Sequence, residues 1–243
     1  MAGRGGGTML ILGIESATQQ VGCAIGGHEG VLTSFEATRG RRHAETLAPA
    51  IEFCCQTADI TLDEISVVAV DIGPGLFTGM RVGLATAKGI AHGLRVPMIG
   101  LPSLDLLAFP LRHATRLIAA VIDARRGELF YAFYRQVPGG IQRLSLPVVG
   151  TPDDVLADIY ALGNDVICVG DGALRYRHTL KEMRNIEFAD PGLAYPSVRP
   201  LVQLAHAKAL REEWVNPWEL EPLYLRKPDA EINWSTRTRS QAS

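Results

Sequence analysis

The stretch from residue 69 to residue 89, AVDIGPGLFTGMRVGLATAKG, constrains the fold of this chain more than any other. Apolar residues that predict a buried strand run into Gly73, Pro74 and Gly75, and a helix rich in small residues follows directly. A strand, a tight glycine turn and a helix N-terminus together are typical of loops whose backbone amides bind phosphate. The same pattern occurs where a strand and a helix must pack closely, so spacing alone leaves both interpretations open.

Known phosphate-loop motifs do not fit this stretch. A Walker A loop carries Lys and then Ser or Thr after its last glycine, whereas Met80 and Arg81 follow Gly79. The dinucleotide pattern GxGxxG fails because position 78 is Thr. The residues that remain as candidates to face a nucleotide or phosphate belong to this loop and to a polar turn after the first predicted strand: Glu15, Ser16, Thr18, Gly73, Pro74, Gly75, Thr78 and Gly79. The alternative for the polar turn is a plain hairpin turn with Glu15 exposed.

The predicted order of elements indicates an α/β fold. The first half shows three strands joined by hairpins and then alternating helices and strands, at residues 9–14, 21–26, 31–38, 42–58, 66–71, 78–93 and 97–101, with a helix from Ser103. This order predicts a mixed sheet with helices on its faces, as in the ribonuclease-H-like unit of actin-type proteins.

The second half resembles a degenerate repeat of the first. Its predicted elements are a hairpin turning at residues 124–127, a strand at 141–149, a helix at 152–162, a strand at 166–169, a turn into a helix at 170–183 and a helix at 197–213. We therefore expect subdomains at residues 9–101 and 102–226, with the last helix returning to pack on the first. Residues 1–8 are predicted to be disordered, and residues 227–243 to form a loose polar tail.

Charge and motif content exclude several classes of protein. A net charge of −2 and a pI near 6.3 argue against binding a polyanion unaided. Four cysteines without CxxC spacing predict reduced core thiols in a cytosolic protein. No apolar run approaches the length of a membrane span or a signal-peptide core. The six histidines form no pair at i, i+4, and neither HExxH nor GxSxG occurs, so we predict no metal site and no nucleophile motif.

Five stretches together resemble the TsaB (YeaZ) family: LGIESAT, RRHAETLAPAIEFCC, VDIGPGLFTGMRVGLATAKGIAHGLRVPMIG, AVIDARRGELFYAFY and EPLYLR. The resemblance runs from about Met9 to Arg226, nearly the whole chain. The Asp-Ala-Arg-x-Gly-Glu block distinguishes this family from other actin-type ATPases and sugar kinases. Its signature residues, to which we assign no role, are Asp123, Arg125, Gly127, Glu128 and Arg226.

The resemblance implies an actin-like ATPase fold with two related subdomains. It implies a cytoplasmic, non-catalytic scaffold in the synthesis of threonylcarbamoyladenosine at position 37 of tRNA. The implied partners are TsaD, the catalytic paralogue, as a heterodimer, the ATPase TsaE, and a second copy of the chain, with tRNA bound only through the complex and no membrane contact. No cofactor is required, and ATP or ADP would bind at a partner interface. The paired histidines that TsaD carries after its VPxI strand are missing from residues 96–108, and metal-assisted transfer needs such ligands.

Two positions depart from the family pattern. The family usually has Ser where this chain has Leu76, and Asp where it has Glu15. Because leucine cannot cap a helix, Thr78 becomes the expected N-cap. The leucine also removes a hydroxyl that could face phosphate.

The resemblance places partner contacts on the paired N-terminal helices, residues 42–58 and 78–93. The first is apolar on more than one face, and the second has small residues every four positions, which permits close helix packing. The predicted interface residues are Arg42, His43, Leu47, Ile51, Cys54, Cys55, Met80, Gly83, Leu84, Ala87 and Ala91. The alternative is that both faces are core. Rival functions are an active actin-type kinase or ATPase, a metalloprotease, and an interaction module for another partner.

Overall fold

A computed structural model describes residues 9–38, 43–181 and 185–226. Arg42, the predicted disordered N-terminus and the predicted polar tail lie outside the described residues. The strands are β1 (Leu10–Glu15), β2 (Gln20–Gly27), β3 (Gly30–Thr38), β4 (Val67–Gly73), β5 (Met98–Pro102), β6 (Leu117–Arg125), β7 (Glu128–Val137), β8 (Gly140–Arg143), β9 (Val148–Gly150), β10 (Val166–Val169) and β11 (Ile186–Phe188). The helices are α1 (His43–Thr57), α2 (Phe77–Leu94), α3 (Ser103–Ala108), α4 (Pro152–Leu162), α5 (Asp171–Arg175), α6 (Arg177–Leu180) and α7 (Val198–Ala209).

The first sheet has the strand order β3-β2-β1-β4-β5. Strands β1 to β3 are antiparallel neighbours, whereas β4 and β5 run parallel to β1. This mixed sheet follows from the sequence, because short turns join the first three strands and helices separate the later ones. The predicted α/β fold class, with mixed sheets flanked by helices, is confirmed.

Both faces of the first sheet are covered. Leu12 and Ile14 of β1 point into a core shared with α1 and α2. Ile11 lies on the opposite face, in a core that α7 completes with Leu201 and Val202. Strands buried on both sides carry near-continuous apolar runs, which explains the composition of β1 and β4.

The second sheet has the order β11-β10-β6-β7-β8, and β9 pairs with β7. One face packs against α4 through Val155 and Ile159. The other packs against α3 through Leu104 and Leu107, whereas Leu106 of the same helix belongs to the core under α7. Helix α3 therefore lies between the two sheets and joins their cores.

Three sequence predictions in the second half require correction. The predicted strand 141–149 is two strands, β8 and β9, because Pro147 between them has no amide hydrogen for a continuous ladder. The predicted helix in 170–183 is two short helices, α5 and α6, within the described residues. The last helix ends at Ala209 rather than at residue 213, and Glu212 adopts a left-handed φ of 57° in the turn that follows.

After α7 the chain returns to the first sheet. Val215 forms an antiparallel bridge with Met98, with N···O distances of 2.9 and 3.0 Å. Leu223 then donates its amide to the Ile72 carbonyl at 2.7 Å. This C-terminal segment, residues 214–226, contacts the start of β5 and the end of β4. None of the helices in the described part of the chain has the length and apolar character needed to cross a lipid bilayer.

Candidate functional site

The Gly-Pro-Gly loop begins where β4 ends. Gly73 has a left-handed φ of 97°, a conformation that glycine adopts without a steric penalty. The Asp71 Oδ1 atom accepts hydrogen bonds from the Gly73 amide at 2.7 Å and from the Ser103 hydroxyl at 2.6 Å. A buried carboxylate and the first residue of α3 therefore fix the start of the loop.

The rest of the loop packs against the turn between β1 and β2. The Leu76 amide donates to the Ala17 carbonyl at 2.6 Å, and the Ser16 hydroxyl donates to the Gly79 carbonyl at 2.8 Å. A Cβ atom added to Gly75 would lie 2.1 Å from the Ala17 oxygen, and one added to Gly79 would lie 2.1 Å from the Ser16 oxygen. The two glycines thus serve the close approach of these backbones, and one loop amide already has a protein partner.

Little space remains between this turn and the second half of the chain. The cavity bounded by Ala17, Thr18, Gly75, Asp123 and Asp171 has a volume of about 10 Å³, roughly enough for one water molecule. A phosphate group does not fit there. A neighbouring cavity of about 300 Å³ opens on the other side of the loop, and its cationic lining residues are Arg125 and Arg226.

The N-terminus of α2 has no side-chain cap. The N-cap is Leu76, and Thr78 is an exposed residue of the first turn, so the prediction of Thr78 as N-cap is wrong. Leu76 occupies the N-cap because its amide is held by the β1–β2 turn, while its carbonyl accepts from the Met80 amide at 3.0 Å. The Arg81 guanidinium lies 3.8 Å from the centre of the Phe77 ring, so a stacked arginine and phenylalanine flank this end of the helix.

Two carboxyl groups are buried beneath the loop. Glu15 is 0% exposed and its Oε1 accepts from the Ala17 amide at 2.8 Å, while its Oε2 has no hydrogen-bond partner in the structure. Glu15 neither faces a nucleotide cleft nor lies exposed in a hairpin, so both sequence interpretations of this residue are corrected. Asp71 is 1% exposed, and its Oδ2 is likewise unpartnered. The two residues follow Ile14 and Val70, which are register partners on adjacent parallel strands.

This arrangement raises the pKa of both acids. Burial, and then the charge of Asp71, raise the pKa of Glu15 well above its usual value. Burial raises the pKa of Asp71 to about 7, against the opposing hydrogen bonds from Ser103 and Gly73. At neutral pH the pair therefore retains a proton, as expected when two carboxyl groups share a buried site.

We expect the Asp71→Asn variant to lose part of the pH dependence of stability. Between the ordinary pKa of 3.8 and the folded value of about 7, the folded protein binds more protons than the unfolded chain. The contribution of Asp71 to the free energy of unfolding is therefore fully present below pH 3.8. It is lost as the pH rises to about 7. Asparagine keeps an acceptor oxygen for Gly73 and Ser103 but cannot ionise.

Urea denaturation at about pH 5 and about pH 8 tests this expectation. The free energy of unfolding should fall less between the two pH values in Asp71→Asn than in the parent protein. The control is Asp153→Asn, which removes an exposed carboxylate at the start of α4. Its free energy of unfolding should fall between the two pH values as much as that of the parent protein. An equal fall in all three proteins would contradict the expectation.

The family-signature residues lie on the facing hairpin of the second sheet. The Asp123 carboxylate accepts from the guanidinium groups of Arg125 and Arg175, each at 3.0 Å. Asp171 accepts from the Asp123 amide at 3.0 Å. Sequence reasoning missed Arg175 and missed this role of Asp171, because their approach depends on the pairing of β6 with β10.

The same hairpin binds the C-terminal segment. Glu128 and Arg226 form an ion pair at 2.7 Å, so the structure brings two signature residues together that are distant in sequence. Gly127 occupies the turn with a φ of 84°. Among the described residues, no three His, Cys, Asp or Glu side chains lie together as metal ligands would.

The predicted partner residues do not form an accessible face. Within the described part of the chain they are mostly buried in the core between the first sheet and the two N-terminal helices: His43, Leu47, Ile51, Cys54, Met80, Gly83, Leu84, Ala87 and Ala91. Cys55 is partly buried. This corrects the prediction that these side chains are free for a partner, because the small residues of α2 instead admit the β1–β2 turn. A Cβ atom at Gly83 would lie 2.3 Å from the Ser16 hydroxyl oxygen.

The outer face of the same two helices has a different composition. On α1 it exposes Ala44 and Ala48. On α2 it exposes Ala85 and Gly89, and the space around the Gly89 Cα is open. We call these four residues the outer face. Phe53 is 52% exposed but lies about two and a half turns from Ala44, on the opposite side of α1.

Comparison of the sequence with known proteins gives a consistent result. The family described as TsaD, tRNA N6-adenosine threonylcarbamoyltransferase, matches residues 33–234. The tRNA threonylcarbamoyladenosine biosynthesis protein TsaB of Escherichia coli is 31% identical over 222 residues, which cover 90% of this chain and 95% of that protein. TsaB of Bacillus subtilis is 26% identical over 230 residues, covering 93% and 98%.

A solved structure has the same fold. YeaZ from Pseudomonas aeruginosa matches 89% of this chain and 100% of its own, with a TM-score of 0.76 and 24% sequence identity. The arrangement of two mixed sheets with flanking helices is therefore shared with a known protein over almost its whole length.

Proposed function

The chain belongs to the TsaB (YeaZ) family, and from that premise we propose that it is a scaffold of tRNA threonylcarbamoyladenosine synthesis with no catalytic activity of its own. Its relatives carry the name of that biosynthetic process, and this chain takes part in the same process. In the proposed role it forms a heterodimer with TsaD, works with TsaE in the cytoplasm, and binds tRNA tightly only as part of the complex.

The observation that carries this proposal is the packing of the Gly-Pro-Gly loop against the β1–β2 turn. In a nucleotide-hydrolysing protein, the loop amides must be open to phosphate. Here the Leu76 amide is bonded to the Ala17 carbonyl, and the remaining cavity holds about 10 Å³. The loop preserves a strand-turn-helix shape that now packs against its own first turn. This supports a scaffold over an active actin-type kinase.

We assign the partner contact to the outer face. Its small residues leave the backbones of α1 and α2 open to close approach by other helices. A second copy of the chain would compete for the same surface.

We place any ATP or ADP at a partner interface. The cavity of about 300 Å³ next to the loop has the α2 N-terminus in its lining, which suits an anionic group. Its two arginines are paired with Asp123 and Glu128, so an anion would compete with these carboxylates. A volume at the lower limit of known ligand pockets would need further walls from a partner to enclose a nucleotide.

Reconstitution tests the proposed function. The purified chain, incubated with threonylcarbamoyl-AMP and unmodified tRNA, should give no modified adenosine in nucleoside analysis by mass spectrometry. Addition of TsaD and TsaE should give product, and omission of this chain from the full mixture should greatly reduce it. Robust product from the chain alone, or full product without it, would each refute the proposal.

A further inference from the structure

A second surface feature lies at the other end of α2, far from the Gly-Pro-Gly loop. A groove of about 660 Å³ runs between the end of α2, the start of β5 and the C-terminal segment. Its walls include His92, Arg95, Trp214 and Trp218. Trp218 is 68% exposed, an unusual environment for the largest apolar side chain. We call this feature the tryptophan groove.

The tryptophan groove has fixed walls. Val215, between the two tryptophans, is held to Met98 by the two-bond bridge. The Asn216 side chain accepts from the Trp218 amide at 3.2 Å and so closes the turn that presents Trp218. The His92 and Trp218 rings lie 5.2 Å apart, nearly edge to face. The aromatic surfaces are therefore already positioned before any ligand arrives.

The charges of the groove favour an anion. Its lining contains one guanidinium, from Arg95, and one imidazole, from His92, but no carboxylate. No ion pair of Arg95 is found among the described residues. The last carbonyls of α2, Ala91 and His92, accept from backbone amides at Arg95 and Val96, so the negative end of the helix is capped. In the same segment Glu213 is paired with Arg211, and the exposed Glu219 follows Trp218 outside the lining.

We propose that the tryptophan groove binds an unpaired nucleotide of single-stranded RNA, with the base stacked on Trp218 and the phosphate on Arg95. Exposed aromatic rings beside an arginine are the common elements of single-strand binding, because every base has a stacking face. The volume lies within the range of small-ligand pockets. The proposal rests on the proposed function, which supplies an RNA substrate, and assigns this chain a contact with it.

A binding assay with the full chain alone tests the proposal. The probe is a short fluorescein-labelled oligouridylate, followed by fluorescence anisotropy, with quenching of tryptophan emission as a second signal. The parent protein should bind weakly, at about 10⁻⁴–10⁻⁶ M. Trp218→Ala should weaken binding about 10-fold. Arg95→Gln should weaken it and reduce the slope of log affinity against log salt by about 1.

The matched control is Tyr160→Ala, which removes an aromatic ring that is 79% exposed on α4. It should bind as the parent does. Absence of binding by the parent, or equal affinity of Trp218→Ala and the parent, would overturn the proposal. Altered self-association or TsaD binding in Trp218→Ala, with RNA affinity unchanged, would assign the groove to a protein partner and overturn it too. The assay contains neither TsaD nor threonylcarbamoyl-AMP, so its failure is distinct from failure of the reconstitution.

Discussion

The Ala87→Arg substitution is expected to lower the free energy of unfolding by about 4 kcal/mol or more. Ala87 is 0% exposed and lies in the core between α2 and the first sheet. An arginine there would have to bury an unpaired charge or displace the helix from the sheet. Thermal and urea denaturation of the purified variant measure the loss, and poor recovery of soluble protein would agree with it.

Ala85→Arg provides the matched control, since Ala85 is on the same helix but exposed on the outer face. We expect it to melt as the parent does and to lose association with TsaD in size-exclusion chromatography, because the added side chain would separate the proposed helix contact. If Ala87→Arg melted normally, the core assignment would be wrong. If Ala85→Arg still bound TsaD as tightly as the parent, the outer face would not be the interface.

The second large effect is expected from Gly79→Ala, at about 3 kcal/mol of lost stability. The new methyl group would lie 2.1 Å from the Ser16 carbonyl oxygen, so either α2 or the β1–β2 turn must move. The Ser16 hydroxyl donates to the Gly79 carbonyl at 2.8 Å, and this hydrogen bond would be lengthened by the same movement. Urea denaturation gives the change in stability, and hydrogen exchange of the Leu76 amide reports local opening.

Gly89→Ala is the corresponding control within the same helix. No atom outside the helix lies within 4 Å of the position that its Cβ would occupy. Alanine is favoured over glycine in a helix by about 1 kcal/mol, so this variant should be more stable than the parent. Equal effects of the two substitutions would mean that the close packing at Gly79 does not determine the loop structure.

The fold could be predicted from local signals. Apolar runs flanked by glycine gave the strands, and the Gly-Pro-Gly loop marked the change from strand to helix between Gly73 and Phe77. The order of elements then limited the sheet to a mixed topology. Shorter elements were predicted less well: the break at Pro147 divides one predicted strand into β8 and β9, both of which pair with β7.

The candidate site was less predictable, because it depends on contacts between distant parts of the chain. The small-residue spacing of α2 correctly identified a close contact, but spacing does not say what makes it. The contacting group is Ser16, through its carbonyl oxygen at Gly79 and its hydroxyl at Gly83, rather than a phosphate or a partner helix.

The position of α7 has a consequence for how this protein is made. The first sheet needs Leu201 and Val202 to cover one of its faces, although its last strand, β5, ends at Pro102. During synthesis this face of the sheet therefore stays exposed to solvent until α7 has been made. That requires roughly a hundred further residues, at about 5–20 residues per second. A chaperone could bind the exposed apolar face during this interval of several seconds. A fragment ending at Pro102 would keep that face exposed permanently.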